Sequence, residues 1–81
     1  MNDKSLTPNS IWRHYKGNLY ELIGVGKHSE TLEEVIIYRA LYGEGGLWVR
    51  PRFMWLEEVE TTAGTVTRFT KIKEGEENVN P

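Results

Sequence analysis

The 81-residue chain carries a formal charge of −2 and no Cys, which gives room for one domain and excludes disulfides, iron–sulfur ligation, thiol catalysis and cysteine zinc sites. A domain this short buries only about 60% of the surface its unfolded chain exposes, so its core must be dense, and three Trp, four Tyr and two Phe supply the volume. Residues 11–73 hold nine Lys/Arg against eight Glu, a balance too even for a strong sequence-independent nucleic-acid binder, where a basic stripe should dominate.

Residues 1–10 are polar and contain Pro8. They lack the apolar stretch of an export signal and are expected to be an unfolded tail. Residues 11–16 read as a first strand and 19–27 as a second, joined at Gly17-Asn18 by a two-residue hairpin turn in which Gly takes positive φ. Within the second, the apolar pattern moves from Tyr20 and Leu22 to Ile23 and Val25. That one-residue change of face predicts a bulge near Gly24.

Residues 35–42 are apolar on both faces except at Arg39, as befits a central strand. Gly43-Glu44-Gly45-Gly46 is a turn, and 47–50 return as a fourth strand that Pro51, lacking an N–H, brings to an end. Residues 52–56 fit one helical turn. Residues 57–61 and 65–72, joined through Ala63-Gly64, form a last hairpin, and 74–81 form an acidic tail expected to be unfolded. A bent meander of short strands with one helical turn predicts a mainly β fold, closed as a small antiparallel, SH3-like, partly open barrel; an α+β roll is the alternative. No stretch approaches the ~18 apolar residues of a membrane span. The lack of Cys in so small a domain points to a reducing, cytoplasmic setting.

Four segments, taken together, resemble a known family: 12–21 (WRHYKGNLYE), 27–31 (KHSET), 38–43 (YRALYG) and 47–51 (LWVRP). In that order they are similar to a family of small bacterial proteins catalogued as a domain of unknown function, over about residues 12–72. The resemblance implies a free-standing or appended bacterial domain and brings no activity, cofactor or catalytic residue. Trp55 departs from it, since a smaller aromatic such as Phe is expected there.

The polar cluster His28-Ser29-Glu30-Thr31 could be a binding loop. Ser29 and Thr31 are more simply turn formers, with Thr31-Leu32-Glu33-Glu34 matching a capping box at the start of a short helical turn. His28 has no comparable structural role in a hairpin loop and stays a candidate. Adjacent His28 and Ser29 on extended chain point to opposite faces, so a Ser–His–carboxylate relay is a poor fit. Two His without Cys do not make a metal site, and no cofactor is implied. Glu33-Glu34 and Glu57-Glu58 read as solvated charge. Gly43, Gly45 and Gly46 precede no helix and therefore offer no phosphate cradle.

What stands out is aromatic–basic interleaving at residues 12–16, 38–39 and 48–52. Such rings can be core with Arg stems lying over them, the preferred reading for Trp12 and Tyr38, or they can stack a ligand while Arg grips an anion. In residues 47–50 the inward places fall to Leu47 and Val49, which leaves Trp48 and Arg50 on the other face. Our expectation is therefore a binding module, not an enzyme, with an anionic small molecule, peptide or single-stranded nucleic acid as ligand. His28, Arg39, Trp48, Arg50 and Arg52 are its candidate contacts, with weak or no binding to duplex nucleic acid. The alternative is a protein–protein or homodimerisation domain without a ligand.

Overall fold

Runs of β-branched and aromatic residues, punctuated by Gly, become seven strands and one helical turn in the computed structural model, which describes residues 6–75. In chain order these are β1 (Ile11–His14), β2 (Leu19–Lys27), β3 (Glu34–Ala40), β4 (Leu47–Pro51), α1 (Arg52–Trp55), β5 (Glu58–Thr61), β6 (Gly64–Thr67) and β7 (Phe69–Lys73). All ladders are antiparallel, in a five-stranded sheet of order β4-β3-β2-β1-β7 and a separate β5-β6 ribbon. The fold is mainly β, as expected, but the sheet stays open. Strands β4 and β7 end it on either side, so no barrel closes.

The expected last strand splits at Arg68. Its N–H donates to the Glu57 carbonyl within the ribbon (2.8 Å), while its carbonyl accepts from Tyr15 N–H across the main sheet (2.9 Å). One continuous segment thereby serves both sheets. The same contact shortens β1. Tyr15 N–H goes to Arg68 and Lys16 N–H to His14 Nδ1 (3.1 Å), so residues 15–18 form a four-residue loop in place of the two-residue turn. Gly17, at φ 111°, makes that loop close. The bulge in β2 falls at Ile23: Leu22 faces Tyr38 and Gly24 faces Ile37. It keeps Tyr20, Leu22 and Val25 on one face, opposite Ala40, Tyr38 and Ile36.

That face carries the core of Trp12, Leu22, Ile36, Tyr38, Trp55 and Phe69, all buried. Trp55 reaches it because Pro51 ends β4 and α1 turns the chain beneath the sheet; Phe53 of the same turn points to solvent.

Residues 6–10 are part of the fold, against expectation. Leu6 packs on the core and Asn9 N–H donates to the Leu22 carbonyl (2.7 Å). Ser10 is fully buried, its Oγ accepting from Trp12 Nε1 (2.8 Å). At the other terminus, Glu74 accepts from the Thr7 hydroxyl (2.6 Å) and Lys71 Nζ (2.9 Å). A single Leu among polar residues has no period to read, so this docking left no sequence signal. The rest of the two expected tails, residues 1–5 and 76–81, lies outside the described residues. Ser10→Ala should cost about 1–3 kcal/mol by stranding the buried indole N–H, read as a lowered melting temperature.

Candidate functional site

Register decides which side chains meet. On β4, Trp48 lies opposite Tyr38 and Arg50 opposite Ile36. Trp48 and Arg50 therefore do share a face, but it is the core face. The expected inward pair is turned out: Leu47 and Val49 are 59% and 61% exposed and lie on the side of Ile37 and Arg39. Apolar character suggested the opposite. The register is anchored by Ile36, Tyr38 and Ala40, all three buried, and β4 must follow.

Beyond the core, toward the Tyr20–Ala40 rung, this face opens into a pocket of about 200 Å³ lined by Tyr20, Tyr38, Tyr42, Trp48 and Arg50. The Tyr20 and Tyr42 hydroxyls hydrogen-bond to each other at 2.8 Å. The Tyr20 ring stands edge-on to those of Tyr38 (5.4 Å), Tyr42 (5.5 Å) and Phe69 (5.7 Å). Burial, then the hydrogen bond shared with Tyr42, pushes the Tyr20 phenol up to about 12, so it stays protonated at neutral pH. The Arg50 guanidinium lies 5.6 Å from the centre of the Phe69 ring. Its Nε is buried without a hydrogen-bond partner, and no carboxylate pairs with it among the described residues.

The other expected contacts lie elsewhere. Arg39 is on the opposite face, 3.8 Å from Glu21. Arg52 stands 3.5 Å from Glu34, at the far end of β3. His28 sits beyond that same end, where its Nδ1 accepts from Glu30 N–H (3.1 Å) and Thr31 N–H (3.3 Å). The imidazole therefore has a structural role after all, holding the β2–β3 loop. No helical turn follows Thr31; its hydroxyl accepts from Glu33 N–H (3.2 Å), and Leu32 takes φ 64°. Of the five candidates, the fold brings Trp48 and Arg50 together.

Tyr20, Tyr42 and His14 were not foreseen. His14, at the end of β1, packs edge-on against Phe69 (5.0 Å) and Tyr20 (6.4 Å). Burial, then the charges of Arg50, Arg68 and Lys16, hold its pKa below the ordinary 6.5. The folded chain thus binds fewer protons at His14 than the unfolded chain does. Stability from this residue is complete above about pH 6.5, declines as pH falls below it, and is lost below the depressed folded value. His14→Gln should flatten this acid-side slope in urea titrations at several pH values.

A larger groove of about 540 Å³ runs between the end of β1 and the β5-β6 ribbon, lined by Arg13, Tyr15 and Lys16, by Val66 and Thr67 of the ribbon, and by Thr70 of β7. Volume favours this groove; chemistry favours the smaller pocket, which holds a half-buried cation with no carboxylate partner among the described residues. No group of three or more His, Asp or Glu that could hold a metal ion occurs among the described residues. Nor is any helix among them long and apolar enough to cross a membrane.

Fold and site define a class: a small open antiparallel β domain with an aromatic pocket built around one arginine. The family model described as "Protein of unknown function (DUF1653)" matches residues 10–71, and the chain belongs to that family. It is also similar to the crystal structure of a DUF1653 protein from Bordetella bronchiseptica, with 34% identity, a TM-score of 0.76, and coverage of 93% of this chain and 94% of that one. Among curated proteins none matches the chain.

Proposed function

We propose that the domain is a cytoplasmic binding module whose Arg50 pocket receives an anionic group. One observation carries this reading: a partly buried guanidinium, with no carboxylate partner among the described residues, in a pocket otherwise walled by aromatic rings. Even partial burial of a cation is costly unless it is paired, and an incoming anion would supply the missing partner. The pocket is lined by Tyr, Trp and Arg, hydrogen-bond donors and stacking faces suited to holding an anion. Amide NMR titrations with acetate, benzoate and inorganic phosphate test it. Shifts should centre on residues 20, 38, 42, 48 and 50 and vanish in Arg50→Met. If none of the anions moves those resonances, the reading fails.

A second reading, homodimerisation, draws on β4. It is an edge strand, and its own Leu47 and Val49 stand exposed on the outer face, with Phe53 exposed on the following turn. Two copies could pair β4 to β4 and cover these side chains. Light scattering separates the readings: a dimer mass that Val49→Lys returns to monomer supports the second, and a monomer at all concentrations removes it.

A further inference from the structure

Resting on the reading of Arg50 as an anion site, we infer that the pocket selects a singly charged carboxylate, carried on a flat body about one ring in size, over a phosphate dianion. The first argument is charge. Arg50 is the one cationic side chain lining the pocket. Nearby Arg68 is already paired with Glu57 at 3.0 Å, and His14 is held neutral near pH 7 by burial and by Arg50 itself. The site therefore presents a single positive charge. A carboxylate neutralises it, whereas a dianion leaves one negative charge stranded among aromatic rings, and that charge costs desolvation without compensation.

Donor geometry agrees. A guanidinium offers parallel N–H groups that match the two oxygens of a carboxylate. The Tyr20 and Tyr42 hydroxyls share one hydrogen bond, so one phenolic proton is left over to donate outward. Size and shape set the rest. At about 200 Å³ the pocket falls below the roughly 300–1,000 Å³ of sites for drug-sized ligands, and its walls are the rings of three Tyr and Trp48. Trp48, 57% exposed, provides an open indole on which a planar body can stack.

Calorimetric titration of the full chain at about pH 7.5, where phenyl phosphate is mostly a dianion, tests the inference with benzoate, acetate, phenyl phosphate and benzamide. Benzoate should bind roughly tenfold or more tighter than phenyl phosphate, acetate and benzamide. Trp48→Ala, a change at an exposed position, should weaken benzoate far more than acetate. Phenyl phosphate binding as tightly as benzoate would overturn the selectivity while leaving the anion site standing. Acetate matching benzoate would overturn the flat-body requirement in the same way. Benzamide matching benzoate, or no binding of either aromatic anion, would overturn the anion site and this inference with it.

Discussion

Trp55→Ala is expected to remove about half of the domain's stability. The Trp55 ring stacks on Phe69 with centroids 3.7 Å apart and planes 7° off parallel, and meets Trp12 and Tyr38 edge-on at 5.7 and 4.9 Å. It is completely buried. Removing such a ring typically costs about 3–5 kcal/mol, set against a total of roughly 4–10 kcal/mol for about 70 ordered residues. Trp55→Phe is the informative companion. It keeps a ring over Phe69 and removes an indole N–H that has no partner among the described residues, so the lost volume is partly offset. Urea denaturation should place it much closer to the wild type than to the Ala variant. A Trp55→Ala protein with an unchanged midpoint would mean that α1 does not anchor the core.

The strands were legible because their signals are local: β-branched runs, Gly at loops, Pro51 at the end of β4. So was the helical turn that delivers Trp55. Which face of β4 meets the core was not legible. Leu47 and Val49 look like core residues by composition, and only pairing with β3 shows them turned outward. Closure failed for a related reason. The split at Arg68 sends β7 to β1 and β6 to β5, and hydrogen bonds to Tyr15 and Glu57 decide that split, not a pattern within residues 65–72. Arg50 was readable as a candidate from its aromatic neighbours in sequence, but its real neighbours, Tyr20, Tyr42 and Phe69, come from three distant segments. The loop-holding role of His28 was not legible, because an imidazole serving as a loop acceptor has the same sequence signature as one serving a ligand.

Arg50→Met should separate stability from binding. Methionine retains an apolar stem to lie against Phe69 and removes a charge whose Nε is buried and unpartnered. Since a half-buried charge without a carboxylate partner is a cost to the folded state, which its contact with the Phe69 ring offsets only in part, the melting temperature should stay level or rise. Binding should move the other way. Losing a charge-assisted hydrogen bond costs about 1.5–3 kcal/mol, so benzoate affinity should fall by roughly 10–150-fold. His14 gives an independent check, because Arg50 is one of the charges holding its pKa down. In the variant that pKa should climb back toward 6.5, the gap between folded and unfolded values should narrow, and less stability should be lost below pH 6.5. An NMR titration of the His14 ring reads this directly. A clearly lowered melting temperature, with His14 unmoved, would make Arg50 a structural residue. It would also withdraw the single positive charge on which the carboxylate assignment stands.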